Sequence, residues 1–507
     1  AAINSCSTFL ALVLEVSVLV WVQQYLILRI SPEEYSLLPL LATVLTILLI
    51  MAQLLTSGLG RFLTVACAEQ DMAQVNRIIS SILPFILGLG VMVVVGGALL
   101  IASLDVVFKI EPRFLSDARL ITGMLLLVFL ARLLTTPFAL GLYVYQKFVW
   151  MSVVEFSGGL LRLALLLALL SNFGARVLWV ATAQMVAFLA MTGAKVVLSL
   201  RQMPLLRPSL AAFDWKTVRE VLRFSGWLTV GKTGLSIARS ADLVFLNRCA
   251  LAPAVGSFHL ASLIPKHLAV AMVALTGPLE PAITAMQAAD RQDQLMSTFY
   301  RVGRLSLWFV GLIIVPLLML RVPLCRLYLG ARFETYEAVP VLLVMIALAW
   351  VPMCFVDGLE KLAVAKGRAR GYSVILMVSH VAHIALSAHY VFVLGLGPVG
   401  VGLAGLVSMW GGLFLGFLPL GVVSFGVSLR SYLPRVVLRG LGPWLVGALT
   451  CHYVSSALPP TSWLSLVAVA VIANVAYCLG VLFCSTEGDK EDVLGIMKSA
   501  LSRFGGT

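Results

Sequence analysis

The eight cysteines include no Cys-x-x-Cys pair, which withdraws support from a metal site, a disulfide framework or thiol redox chemistry. Charge is scarce, at 12% of residues, and the longest polar connection covers only residues 201–224. That leaves hardly any soluble segment to hold a nucleophile elbow, a paired-carboxylate site or a Ser-His-Asp arrangement, and none stands out. The expectation is a protein that is not an enzyme and uses no cofactor. A nucleic-acid role is set aside as well, because the net charge of +13 lies on no basic domain outside the apolar runs.

What the chain does have is apolar sequence. Hydrophobic residues make up 61% of it, and the mean hydropathy is +1.02. A bilayer core needs about 20 apolar residues per helical span, and runs of that length recur throughout. They are continuously apolar over at least twice the roughly 10 alternating residues of a barrel strand, so the spans are helices. The expected fold class is therefore an all-α polytopic membrane protein. Spans are expected near residues 18, 48, 90, 130, 161, 186, 237, 268, 312, 346, 381, 410, 446 and 472, fourteen in all. The first run is too long, and too poorly basic at its front, for a cleaved signal peptide.

Orientation follows from the cations in the connections. Connections after even-numbered spans carry eighteen Lys and Arg, among them Arg201, Arg219, Arg304, Lys361 and Lys366, whereas those after odd-numbered spans carry nine. Both chain ends are thus expected in the cytoplasm. Residues 201–224, with Pro204 and Pro208, read as a linker between two lobes. Their end, from Asp214 to Phe224, has the pattern of an amphipathic surface helix, with Trp215, Val218, Leu222 and Phe224 toward lipid.

A weak internal repeat supports two lobes. Ser31–Ser36 lines up with Ala252–Ser257 at an offset of 221 residues, and Ala68–Gln74 with Ala288–Gln294 at an offset of 220. The expected organisation is a six-helix lobe over 1–200, the linker over 201–224, a second six-helix lobe over 225–425 in the same orientation, two further spans over 426–485 and a cytoplasmic tail over 486–507. Parallel repeats of this kind suit alternating access around a central site.

One nucleotide motif matches to the letter. Gly226–Thr233 fits G-x-x-x-x-G-K-[ST], yet a phosphate-cradling loop needs a strand before it and a helix after it in a soluble unit, and this stretch lies inside the seventh span. His380 and His383 share a helix face, with His389 nearby. No acidic residue or thiol joins them there, so they read as packing or pore-lining residues and not as a metal site.

Charges inside spans are costly and face a cavity or a partner. Arg132, Arg162, Lys195, Lys232, Arg239 and Lys266 are such cations, against the acids Glu155 and Asp242. Lys232 and Arg239 are seven residues apart on one face; Arg239 and Asp242 can pair at i, i+3; Ser225 and Ser236 extend the polar seam. Glu155 and Arg162 are likewise seven apart. Glu155 and Asp242 read either as ion-coupling groups or as structural partners of these cations. A cationic cavity of this kind suits an anionic substrate such as a diphosphate.

Several short segments, in order, resemble the polysaccharide-unit flippases, the O-antigen translocases and their relatives in the multidrug/oligosaccharidyl-lipid/polysaccharide exporter superfamily. Leu28-Arg29-Ile30-Ser31-Pro32-Glu33-Glu34-Tyr35 resembles the R-x-L-G-x-x-E-Y-G end of that family's first span, with serines at 31 and 36 in place of glycines. Ser57–Gly60, Asp242–Leu246, Ala254–Phe258, Lys366–Arg370 and Gly397–Ala404 resemble later family segments. The resemblance implies a flippase that moves an undecaprenyl-diphosphate-linked oligosaccharide across a bacterial inner membrane for cell-surface polysaccharide synthesis. It also implies Arg29 as a diphosphate contact, membrane lipids around the bundle, H+ or Na+ as a coupling ion, and polysaccharide polymerase machinery as a partner. Two other readings stand beside it. One is a cation-coupled multidrug exporter of the same superfamily, which calls for acidic and aromatic cavities. The other is a membrane-embedded polymerase or glycosyltransferase, which calls for a larger loop.

Overall fold

A computed structural model describes residues 20–56, 59–68, 71–145, 147–202, 209–249, 252–276, 283, 286–287, 289, 291–366 and 368–486. Among them there are helices and turns but no strand. The main helices are α1 (20–29), α2 (Pro32–Thr56), α3 (Met72–Ala102), α4 (Leu115–Ala139), α5 (Phe148–Phe173), α6 (Val177–Gln202) and α7 (Trp215–Cys249). They continue as α8 (Ala252–Thr276), α9 (Gln292–Met319), α10 (Val339–Ala365), α11 (Ala369–Ala388), α12 (Gly397–Gly412), α13 (Arg439–Ala457) and α14 (Trp463–Cys484). Every expected span centre from residue 48 to residue 472 falls inside one of them; the first, near residue 18, lies outside the described residues. Ten helices are long and apolar enough to cross a bilayer by length and composition alone. Large apolar side chains point outward, as on Leu415 and Phe483, which are 85% and 92% exposed. A lipid-facing surface looks like this, because lipid tails solvate such groups as well as a core does.

The repeat is sharper in the helix boundaries than in the residues. α3 starts at Met72 and α9 at Gln292, and α6 starts at Val177 and α12 at Gly397. Each second member follows its counterpart by 220 residues. Helix lengths are set by the membrane thickness and turn positions by topology, so both persist where side chains diverge.

The chain forms two compact units, Ala1–Gly256 and Ser257–Thr507. In the first, Leu59, Ile79, Ile82, Leu126, Phe129 and Val221 belong to one buried cluster. In the second, Leu295, Ile314, Cys354, Leu362 and Val436 do the same. A smaller cluster around Cys451 holds α13 and α14 together through Leu466, Val469 and Ala473.

The stretch from Asp214 to Phe224, expected as a separate surface helix, forms the opening of α7, which runs unbroken from Trp215. Val218 is fully buried there, whereas Trp215 is exposed against Phe85. Asp214 starts the helix: its carboxylate accepts from the Lys216 amide at 3.1 Å, the Thr217 amide at 3.0 Å and the Thr217 hydroxyl at 2.6 Å. The Thr217 hydroxyl and these amides hold the Asp214 carboxyl below its ordinary range. A depressed carboxyl stabilises the fold above the unfolded value of about 3.9, and that support is lost as pH falls through the folded one. Asp214→Ala is therefore expected to speed amide exchange at Lys216 and Thr217, whereas Asp214→Asn keeps the cap. Hydrogen exchange at neutral pH checks this.

Candidate functional site

The polar seam of α7 is more extensive than two serines. Ser225, Thr229, Thr233 and Ser240 are all buried, at intervals that stay on one helix face, and Thr229 donates back to the Ser225 carbonyl at 2.8 Å. Hydroxyls tolerate this position because each can bond its own preceding turn. α7 packs against α2 and, to a smaller extent, α3. Lys232 falls at the midpoint of α7, whose 35 residues extend about 52 Å. Arg239 follows two turns later, half-buried, with the buried carboxylate of Asp242 close enough to act on its charge. The whole P-loop-like stretch is helical, so no phosphate-cradling loop exists there.

The segment that carries the family resemblance around Arg29 turns out to build a corner. Tyr35, almost fully buried, donates to Gln23 Oε1 at 2.5 Å, Ser31 Oγ accepts from the Glu34 amide at 3.3 Å, and Ser36 Oγ donates to the Glu33 carbonyl at 2.8 Å. Glu34 reaches out to accept from the Val177 amide at the start of α6, at 3.0 Å. These contacts fix the turn between α1 and α2 and leave Arg29 exposed at the end of α1, its guanidinium 3.9 Å from the Tyr25 ring centre. A cation held against an aromatic face loses little freedom when it later meets an anion.

The remaining candidates scatter. Arg132 is exposed on α4, and Arg162 is half-buried on α5. Lys195 on α6 is tied to Glu155 on α5 at 2.7 Å, so Glu155 is engaged across the helix pair. Lys266 is exposed on α8, one face with His259. α7 thus joins Lys232, Arg239 and Asp242 on one element, whereas Arg132, Arg162, Lys195 and Lys266 stay on separate helices.

The polar centre of the second unit escaped the sequence reading. Asp357 and Lys361, one turn apart on α10 and each 5% exposed, form an ion pair inside the bundle. Asp357 also accepts from Ser306 of α9 at 2.8 Å and from Thr276 of α8 at 3.5 Å. Lys361 is therefore not a connection residue, as the cation count treated it, but a buried one; Arg304 on α9 is also buried, donating to the Arg435 carbonyl at 3.0 Å. The readable signal was the Asp-x-x-x-Lys spacing in an apolar run. Of the histidines, His380 is buried, His383 lies 3.5 Å from Ser408 and His389 is exposed. Among the described residues no His, Cys, Asp and Glu group could hold a metal ion.

Among the described residues the chain is a strand-free bundle of apolar helices whose starts repeat and whose interior buries charges and hydroxyls. Solved structures agree: the fold is that of the MOP-superfamily transporters and of the lipid II flippase. The inward-closed lipid II flippase MurJ superposes with a TM-score of 0.70 at 12% identity, over 94% of this chain and 98% of that one. An inward-facing multidrug-resistance MATE transporter of the MOP superfamily gives 0.66 at 13% identity, over 82% and 96%. These structural neighbours are a flippase and a transporter, not enzymes. Among curated sequences the chain is similar to the uncharacterized membrane protein EpsK of Bacillus subtilis (strain 168), 21% identical over 96% of each. No family model matches.

Proposed function

We propose that this protein is a flippase for a lipid-linked oligosaccharide, with undecaprenyl diphosphate as the carrier and cell-surface polysaccharide as the destination. The observation that carries the proposal is the pair of cations on α7, Lys232 at mid-helix and Arg239 two turns on, in a helix lined with buried hydroxyls. A diphosphate is recognised by charge-assisted hydrogen bonds, whereas a cationic drug would be repelled there. Arg29 supplies a third cation at the end of α1. Lys266, Arg132 and Arg162 are further candidates of lower rank, and Lys195 is held by Glu155. Asp242 fixes the register of Arg239 or takes part in ion coupling.

In this reading the headgroup enters sideways from the cytoplasmic leaflet and leaves on the far side of the inner membrane, both chain ends remaining cytoplasmic. Its driving force is an H+ or Na+ gradient, the membrane potential, or consumption of the product by polymerase machinery. Outward movement of negative charge is favoured by an inside-negative potential, at about 2.3 kcal/mol per charge per 100 mV.

The test is the sidedness of lipid-linked oligosaccharide in spheroplasts of cells depleted of the protein, read with a membrane-impermeant label. Complete units confined to the cytoplasmic leaflet are expected. Normal outward units with raised drug sensitivity would replace the reading with a drug exporter, and outward units that fail to lengthen would replace it with a polymerase. In complemented cells, Lys232→Gln and Arg239→Gln should each cut outward labelling about ten- to hundredfold, the worth of a hydrogen bond to a charged group. Lys232→Arg should keep most of it.

A further inference from the structure

The buried polar centre of the second unit gathers oxygens from three helices around one positive charge. Asp357 of α10 supplies both carboxylate oxygens; the Ser306 hydroxyl of α9 donates to Oδ2 at 2.8 Å, and the Thr276 hydroxyl of α8 lies 3.5 Å from Oδ1. Thr276 Oγ1 is itself fixed by the Met272 carbonyl at 3.0 Å. A hydroxyl that donates to the carboxylate keeps its lone pairs for a cation. Thr276, Ser306, Asp357 and Lys361 are all buried, and within one turn of them Met272, Val302, Cys354 and Leu362 belong to the apolar core of the unit. A charge in such surroundings depends on the oxygens it can reach.

One carboxylate and two neutral hydroxyls balance a single positive charge. Hard cations take oxygen ligands, and a divalent ion draws more carboxylates than the one available here, so the set suits a monovalent cation. In this chain the cation in place is the Lys361 ammonium. Two features mark it as held by its charge. Lys361 lies four residues before the end of α10 at Ala365, about 6 Å along the axis, next to the connection that carries Lys366 and Arg368. A lysine stem can snorkel over that distance to a polar end, yet Lys361 turns inward to Asp357 and stays 5% exposed. An ammonium also carries three donors, and Asp357 is the one partner of Lys361 among the described residues. A cation held without a full set of directed hydrogen bonds can be replaced by one that makes none.

We propose that Asp357, Ser306 and Thr276 form a monovalent-cation site whose resident cation is the chain's own Lys361 ammonium. The tethered lysine does for the second unit what a bound Na+ would do, and it is present at every ionic composition. Na+ therefore does not load at Asp357 in the native chain, whichever substrate the bundle moves. The site goes beyond the flippase reading and stands without it.

Lys361→Ala tests the proposal, because it vacates the place of the ammonium and leaves Asp357, Ser306 and Thr276 intact. The full-length variant, purified in detergent and sodium chloride, is compared in sodium, methylammonium and choline chloride at equal ionic strength. It should melt about 2 °C or more higher in sodium than in choline chloride, the shift expected of a ligand at roughly ten times its dissociation constant. Methylammonium should give a similar gain, whereas choline is too bulky for a close-packed interior. The wild type should melt alike in all three salts, and so should Lys361→Ala combined with Asp357→Asn. Lys361→Ser, which leaves a hydroxyl at the vacated position, should repeat the sodium effect and serves if the alanine variant does not fold. Melting independent of the cation in these single variants would overturn the proposal, and so would an equal cation effect in the wild type or in the double variant. Failure to recover either single variant in sodium chloride would overturn it as well, because the ion is then unable to replace the ammonium.

Discussion

Asp357→Asn and Lys361→Met are each expected to lower the stability of the detergent-solubilised protein by about 3–5 kcal/mol, while the double variant recovers most of the loss. The reason is the asymmetry of a buried pair. Both residues are 5% exposed, so removing either one strands the other as a charge without its counter-ion inside the bundle. Removing both leaves an amide on Asp357's site, which can still accept from Ser306 and Thr276, and an apolar chain where the ammonium was. A thermal-shift double-mutant cycle measures the coupling directly. If the double variant is as damaged as the singles, the hydroxyls of α8 and α9, and not the lysine, are what Asp357 depends on.

The second large effect is expected at Gly311 of α9. A Cβ there would collide with the Trp444 ring, with Cε2 at 2.6 Å, and with the Tyr477 hydroxyl. Those two side chains are the fastenings of the last helix pair: Trp444 donates to the Leu307 carbonyl at 3.0 Å and Tyr477 to the Trp308 carbonyl at 2.8 Å. Trp308 answers by donating to the Arg439 carbonyl at 2.9 Å. Gly311→Val is therefore expected to push α13 and α14 off α9 and to cost about 3 kcal/mol or more, since the two rings it meets are held in place by their own hydrogen bonds. Cys451, fully buried between α13 and α14, reports the outcome. Its labelling by a membrane-permeant maleimide, followed by peptide mass spectrometry, should rise several-fold above the wild-type level. Unchanged labelling would mean that the pair is held by its own apolar packing.

The spans were legible because a bilayer imposes a length and a polarity that no side-chain detail can override, and the repeat was faintly legible for the same reason. Residue matches at offsets of 220 and 221 were few, yet the starts of α3 and α9, and of α6 and α12, lie 220 residues apart. Lys232, Arg239 and Asp242 were visible as charges in an apolar run, and their common helix follows from spacing alone. Asp357 and Lys361 were not visible because Lys361 lies near Lys366, Arg368 and Arg370, and a cation next to a basic connection looks like part of it. Only the position of the α10 end, at Ala365, shows that Lys361 is still inside the bundle. The Glu33–Tyr35 segment was read as a family mark; its hydrogen bonds to Gln23 and Val177 show it to be the mortar of a turn. Hydrogen-bond partners more than a hundred residues apart cannot be inferred from one sequence.

α7 is fastened at both ends. At its start, Ser80 and Ser81 of α3 accept from the amides of Ser209 and Asp214, each at 2.9 Å. At its far end, Asn247 accepts from the Lys109 amide at 2.9 Å and donates to the Lys109 carbonyl at 3.2 Å, while Arg248 donates to the Val106 carbonyl at 2.7 Å. With about 52 Å of helix between them, these two fastenings lie further apart than the roughly 30 Å apolar core of a bilayer. The peptide link through residues 203–208 is then not what keeps α7 in place. A chain severed there, whether by a protease or by splitting its coding sequence into two reading frames, would still assemble, each fragment finding the other through the bolts of α7. Joints of that kind can be lengthened, cut or traded without dismantling the machine they join.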